Sequence, residues 1–90
     1  FVIIATINIK TGTLRKSPDI ISRGFVYLRE SQQLLAEARA LIKRTVENST
    51  RNMHPINLDF VKDQITETLT GFLLQKTNKT PMVIPVLIGI

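Results

Sequence analysis

The chain has 90 residues, with 12 Lys and Arg against seven Asp and Glu, so its net charge is +5. That length allows one domain, and 43% hydrophobic with 21% charged residues excludes a disordered tail. The absence of Cys excludes disulfides, thiolate zinc sites and cysteine nucleophiles. We expect residues 1–90 to form a single domain in a reducing, cytoplasmic compartment. Because an apolar run begins at Phe1 without an initiator Met, we also expect a piece of a longer protein.

No segment predicts a membrane span or an export signal. The longest apolar run, residues 82–90, is far shorter than the roughly 20 residues that a spanning helix needs. The first 15 residues lack the basic start and small-residue cleavage site of a secretory signal. We therefore expect no membrane partner.

The chain opens with the alternating pattern of a half-buried strand over residues 1–10. Its apolar face is formed by Phe1, Ile3, Ala5, Ile7 and Ile9. The opposite face begins apolar, with Val2 and Ile4, and becomes polar further on. Gly12 follows in the sequence KTGT and predicts a tight turn, because glycine adopts a positive φ without strain.

A second strand and a first helix are predicted next. Residues 20–28 favour a strand, in which Gly24 indicates a bulge. Residues 31–48 have the three-and-four spacing of an amphipathic helix, with Ser31 as a plausible N-cap. The apolar stripe of this helix consists of Leu34, Leu35, Ala38, Leu41, Ile42 and Val46.

A second helix is predicted after Asn57, an N-cap residue, with Asp59 at the positive end of its dipole. Its stripe consists of Leu58, Val61, Ile65, Leu69, Phe72 and Leu73. Gly71 lowers helix stability by about 1 kcal/mol relative to Ala, a loss that is tolerable if a neighbour packs closely there. Residues 82–90 form a last strand. The order ββααβ predicts an α+β fold, a two-layer domain with a small three-stranded sheet packed against two helices.

The last strand is apolar on both faces. One face, which we expect to meet the helices, carries Met82, Ile84, Val86, Ile88 and Ile90. Val83 and Leu87 make the other face apolar too, although two helices cover only one side of a sheet. Pro85 indicates an edge strand or a bulge. The expected interface residues are Val2, Ile4, Val83 and Leu87. The alternative is that Val83 and Leu87 are ordinary exposed apolar residues.

The residues of this chain do not predict catalysis. His54 is the only histidine and has no acidic neighbour in sequence, so we interpret it as a solvated or capping group. Asp63 and Glu67 are typical of an exposed helix face, and no cluster of ligands has metal-binding spacing. The four glycines do not cluster into a phosphate-binding loop. We expect no catalytic, cofactor-binding or metal residues, which disfavours a stand-alone hydrolase.

Positive charge is concentrated in the first two-thirds of the chain. Residues 1–30 have a net charge of +3, residues 31–56 of +2 and residues 57–90 of zero. Such an uneven field attracts phosphate without sequence selection. The candidate RNA contacts are Lys10, Arg15, Lys16, Arg23, Lys43 and Arg44, and Arg29 and Arg39 add to the excess. The alternative is that the charge only keeps a small domain soluble.

Two short patterns for RNA-binding folds fail. Residues 23–27 (RGFVY) overlap the aromatic strand motif of RNA-recognition domains, but the match stops after three positions and the element order differs. No Gly-x-x-Gly loop supports a KH domain. Both folds are rejected.

Two longer motifs resemble the C-terminal domain of ribonuclease J. Residues 18–31, which read PDIISRGFVYLRES, resemble the opening signature of that domain. QKT at 75–77, followed by TPMVIPV at 80–86, resembles the way it closes. Two amphipathic helices of the expected size lie between them, so the resemblance covers essentially the whole chain.

Ribonuclease J is a bacterial and archaeal enzyme of RNA processing and decay, with 5′→3′ exonuclease and endonuclease activity. The resemblance implies a catalytic metallo-β-lactamase domain outside this chain, with two metals, normally zinc, and a β-CASP insertion. It also implies that the small C-terminal domain supports self-association and full activity. The metal-binding motifs of the catalytic part are absent here, so no catalytic residue carries over.

We therefore expect a non-catalytic accessory and oligomerisation domain. Its expected partners are further copies of itself and the catalytic domain of the parent enzyme, with RNA as the substrate of the parent. A stand-alone basic RNA-binding module is the alternative.

Overall fold

The computed structural model describes residues 1–21, 28–80 and 82–90, with side chains for all of these except residues 28–31. Its elements are β1 (Val2–Ile7), β2 (Asp19–Ile21), α1 (Leu28–Thr50), α2 (Leu58–Thr77) and β3 (Ile84–Gly89). They form a mixed three-stranded sheet and two helices. The predicted α+β fold is confirmed.

β1 is the central strand, because it pairs antiparallel with β2 and parallel with β3. Its alternation buries Ile3, Ala5 and Ile7 completely, as the period of two predicts. Gly12 has a φ of +77° in the turn that follows, which confirms the predicted turn. After the turn the chain returns to β1, where Leu14 forms an isolated bridge with Ile7.

The boundary between β2 and α1 differs from the prediction. β2 ends at Ile21, and its predicted continuation over residues 22–27, with a bulge at Gly24, lies outside the described residues. Leu28, predicted as the end of the strand, begins α1 instead. Ser31 therefore lies inside the helix, and its assignment as the N-cap is wrong. Residues 28–30 read LRE, which are all good helix formers and extend the helix backwards.

The hydrophobic core lies between one face of the sheet and the two helices. Its fully buried members are Ile3, Ile7, Ala38, Ile42, Val46, Val61, Ile65, Leu69 and Leu73. All the helical members belong to the predicted apolar stripes. Burial of each side chain of this size contributes about 1.5–3 kcal/mol, so this contact holds the two layers together.

Asparagine residues cap both ends of α2. Asn57 accepts a hydrogen bond from the backbone N–H of Phe60 at 3.2 Å, which confirms the predicted N-cap. Asn78 adopts a left-handed φ of 57° and donates its backbone N–H to the carbonyl of Leu74 at 2.8 Å. Within the helix, a Cβ at Gly71 would meet no atom of a packed neighbour within 4 Å among the residues that the structure describes, so close packing does not account for this glycine.

β3 is an edge strand of the described sheet, as Pro85 indicated. The backbone N–H of Ile84 donates to the carbonyl of Phe1 at 2.8 Å and therefore points towards β1. Successive backbone groups of a strand point to alternate sides, so the nitrogen of Pro85 faces the open edge. Proline is tolerated there because no ladder hydrogen bond is lost.

Candidate functional site

The side of the sheet away from the helices carries apolar side chains from all three strands. Residues paired directly across strands point to the same face, so the register sorts them into rows. These rows, which we call the outer face, are Ile21, Val2 and Ile84; Asp19, Ile4 and Val86; and Thr6 and Ile88. The apolar side chains of the two edge strands in this set are 43–50% exposed. The outer face is therefore a contiguous apolar surface that this chain's own helices do not cover.

The predicted interface residues fall on both sides of the sheet. Val2 and Ile4 lie on the outer face, as expected, and are half-buried. Val83 and Leu87 instead pack against the core, and Leu87 pairs with the fully buried Ala5. The expected assignment of the two faces of the last strand is therefore wrong. An uncovered apolar surface is present, but on β3 it is formed by Ile84, Val86 and Ile88 and not by Val83 and Leu87.

The inner side of β3 packs against the rest of the chain, and α2 and the chain after β1 lie close to it at Gly89. Pro85 is buried on this side. A Cβ at Gly89 would lie 2.7 Å from Cγ2 of Ile9 and 3.1 Å from Cδ1 of Leu58. The set that contains Leu87 faces the helices, and the fully apolar set points outward. A hydrophobic pattern specifies the buried face only when the other face is polar, so the sequence could not decide between them.

A second surface feature is a cleft of about 460 Å³ between residues 14–18 and α1. It is lined by Leu14, Lys16, Ser17, Pro18, Arg39, Ala40 and Lys43, and we call it the basic cleft. The backbone N–H of Arg15 donates to the carbonyl of Thr6 at 2.9 Å, which fixes one end of the loop segment. The buried Pro18 fixes the other end. This places Lys16 opposite Arg39 and Lys43, which lie about one helical turn apart.

The cations of the basic cleft are weakly neutralised. Nζ of Lys16 lies 3.6 Å from Oδ2 of Asp19, but these side chains are 64% and 59% exposed. An ion pair in such a position is worth at most about 1 kcal/mol. Arg39 and Lys43 have no carboxylate within 4.0 Å among the side chains that the structure describes. The cleft therefore concentrates positive charge.

The candidate RNA contacts are only partly brought together. Lys16 and Lys43 line the basic cleft, whereas Lys10, Arg15 and Arg44 are exposed outside its lining. Arg23 lies outside the described residues. The sequence prediction did not include Arg39 among these contacts, although its spacing of four from Lys43 on a helix was a usable signal.

The donor groups of the described residues do not fit a metal centre. In residues 1–21, 28–80 and 82–90, no group of three or more His, Asp or Glu residues could hold a metal ion. His54 is exposed in the link between the helices, and Asp63 and Glu67 are exposed on α2. The zinc that the family resemblance implies belongs to the catalytic domain expected outside this chain, so it is not assigned to these residues. The described helices also include none that is long and apolar enough to cross a membrane.

Comparison with known proteins gives a consistent family. The sequence model of the ribonuclease J C-terminal domain matches residues 1–90. The chain is 32% identical to ribonuclease J2 of Bacillus subtilis over 89 residues, which are 99% of this chain and 16% of the relative. It is 33% identical to a ribonuclease J 2 of Staphylococcus epidermidis over 87 residues, 97% of this chain and 15% of the relative. It is 32% identical to a ribonuclease J 1 of Streptococcus pyogenes over 85 residues, which are 94% of this chain and 15% of the relative. The chain thus spans about one-sixth of the length of these relatives.

Proposed function

The chain belongs to the ribonuclease J C-terminal domain family, and on that premise we propose that it is a non-catalytic accessory domain that associates with a second copy of itself. The association would use the outer face of the sheet. It would hold together copies of a zinc-dependent RNA processing and decay enzyme whose catalytic residues lie outside this chain. RNA is the substrate of that parent enzyme, and its 5′→3′ exonuclease and endonuclease activities are part of the proposal.

The observation that carries the proposal is the exposed apolar character of the outer face. Its edge-strand residues Ile21, Ile84, Val86 and Ile88 are 43–50% exposed. Removing apolar surface from water contributes roughly 25 cal/mol per Å², so a partner that covers this face gains free energy. Contiguous apolar patches on soluble domains are typical of interaction sites.

The charge distribution favours a second copy as the partner. Among the residues that define the outer face, Asp19 is the only charged one, and it belongs to β2, at one edge of the sheet. Arg15, whose backbone N–H donates to the carbonyl of Thr6, borders the same edge. In a two-fold contact the same patch meets itself, so its apolar rows face apolar rows. The three cations of the basic cleft lie apart from this contact, because the lining of the cleft shares no residue with the outer face.

The size of the face predicts weak association. Three strands spaced about 4.8 Å apart, with about 3.3 Å per residue, give a footprint of roughly 300 Å² for six residues. A stable interface of standard size buries about 800 Å² per partner. The contact is therefore expected to be micromolar or weaker and to depend on concentration.

The test is sedimentation velocity of the 90-residue chain over a concentration series. Val86→Lys places a charge in the middle row of the outer face, and it is expected to shift the chain to a monomer at concentrations where the wild type associates. Leu74→Lys is the matched control, because Leu74 on α2 is 46% exposed and Val86 is 43% exposed. This control is expected to associate like the wild type.

Two outcomes would overturn the proposal. One is a wild-type chain that stays monomeric at the highest soluble concentration, which leaves the face for another part of the parent enzyme. The other is an equal loss of association in both Lys variants, which would place the contact elsewhere.

A further inference from the structure

We propose that the basic cleft binds a phosphate group of a single-stranded RNA backbone. The cleft is bounded on one side by Lys16 and Ser17 and on the other by Arg39 and Lys43. Neither the association proposed above nor the match to the family assigns a role to it. The identity of the polyanion as RNA rests on the proposed function, whereas the preference for a phosphate group rests on the cleft.

The helix α1 fixes the relative positions of two of the cations, Arg39 and Lys43. Arg39 and Lys43 differ by four positions, so both side chains project from one side of α1 into the same space. Arg39 is half-buried, which limits the freedom that its side chain loses when it binds an anion. A guanidinium group donates two parallel hydrogen bonds to a phosphate, and an ammonium group adds a point charge.

The third cation approaches from the opposite wall. Among the described side chains Lys16 pairs with Asp19, at 3.6 Å in an exposed position, so a phosphate could replace or share this partner at little cost. The hydroxyl of Ser17 is a further donor of the kind that proteins use on phosphate oxygens. Asp19 is the carboxylate paired with Lys16, and the three cations that line the cleft outweigh it.

The rest of the lining favours a nucleotide over a bare anion. Leu14, Pro18 and Ala40 give the cleft apolar walls beside the cations. Its volume of about 460 Å³ lies within the range of roughly 300–1,000 Å³ that is usual for small-molecule sites. A ribose or base can therefore contact an apolar wall while its phosphate meets the cations. An acidic peptide offers carboxylates, but it has no ribose or base beside each negative charge that could contact the apolar wall.

The experiment measures fluorescence anisotropy of a fluorescein-labelled single-stranded oligoadenylate titrated with the 90-residue chain at several salt concentrations. The cleft variant is Arg39→Gln with Lys43→Gln, which keeps good helix formers on α1. The matched control is Arg51→Gln with Lys62→Gln, which removes the same charge from exposed positions outside the cleft lining. Lys16→Gln, in the loop, is a second cleft variant that leaves the helix unchanged.

We expect the double cleft variant to lose about ten-fold or more in affinity at moderate salt, and the control to lose less than about two-fold. The slope of log K against log[salt] should fall in magnitude by about 0.7 in the cleft variant, because the contact with one phosphate is removed. Lys16→Gln removes one cation instead of two, so its loss in log affinity should be about half that of the double cleft variant.

Three results would overturn the inference. The first is a flat titration of the wild type at low salt. The second is an equal loss of affinity in the cleft variant and the control, which would indicate a general field without a site. The third is binding of labelled polyglutamate as tightly as oligoadenylate, which would indicate an acidic protein partner.

Light scattering of the same samples separates this inference from the proposed self-association. The cleft variant is expected to keep the wild-type mass. A wild-type chain that associates but binds no oligoadenylate contradicts only the cleft, and a monomeric chain that binds it contradicts only the association.

Discussion

The hydroxyl of Thr50, the last residue of α1, donates a hydrogen bond to the carbonyl oxygen of Gly12 at 2.8 Å. The two residues are 38 positions apart in the chain. The same hydroxyl oxygen lies 2.8 Å from the carbonyl of Val46 and 3.4 Å from that of Glu47, so its single proton is shared among three acceptors. Thr50 is only 6% exposed, and the contact fastens the end of α1 to the turn that follows β1.

Thr50→Val is expected to lower the free energy of unfolding by about 1–3 kcal/mol, because the buried carbonyl of Gly12 loses this donor while the side-chain volume stays the same. Thr45→Val is the control. Thr45 is also nearly buried on α1, but its hydroxyl donates only to the carbonyl of Leu41 within the helix. Urea denaturation of both variants measures the difference, and equal losses would show that the contact between α1 and the turn adds nothing.

Gly12→Ala is expected to destabilise the chain by about 2 kcal/mol or more. The φ of +77° strains any residue with a side chain, and a Cβ would lie 2.6 Å from Cβ and Oγ1 of Thr50. Both effects act on the folded state, so the urea midpoint should fall. An unchanged midpoint would mean that the turn adopts another conformation.

Gly71→Ala is expected to act in the opposite direction, with a gain of about 0.5–1 kcal/mol in the free energy of unfolding. The position is exposed in the interior of α2, and a Cβ there would meet nothing within 4 Å. Alanine therefore adds helix propensity without a steric penalty. The same urea experiment measures it, and a loss of stability would reveal a neighbour that the described residues do not provide.

Leu87→Asp is expected to destabilise the chain by about 2–4 kcal/mol, whereas Val86→Asp should change stability by less than about 1 kcal/mol. Leu87 packs against the core, so its replacement buries a carboxylate beside apolar groups. Val86 points to the outer face, where water solvates the charge. Thermal unfolding of dilute samples compares the two variants. A larger loss of stability in Val86→Asp than in Leu87→Asp would mean that Val86 faces the helices, as expected from the sequence.

Local patterns in the sequence predicted much of the fold. The alternation of Ile3, Ala5 and Ile7, the positive φ of Gly12 and the N-cap at Asn57 each depend on a few neighbouring residues. The predicted helix stripes correspond to the buried residues because the spacing of three and four fixes one helix face. The start of α1 was harder to predict from the sequence, since Leu28 suits both a strand and a helix.

The candidate surfaces were predicted less well. Val2 and Ile4 were placed correctly, because the inner residues of β1 are unambiguous. The spacing of Arg39 from Lys43 was visible in the sequence, but Lys16, which lines the same cleft, is 23 positions away from Arg39 and is brought near only by folding.

Short segments were sufficient to predict the family resemblance, the order of strands and helices, and the excess of apolar surface in the last strand, because motifs, caps and periodicities are local properties. Which face of β3 meets the helices and which cations share a cleft are set by long-range packing. Those outcomes depend on how closely α2 approaches Pro85 and Gly89, and on where the loop before β2 crosses α1, and both are set by packing between distant segments.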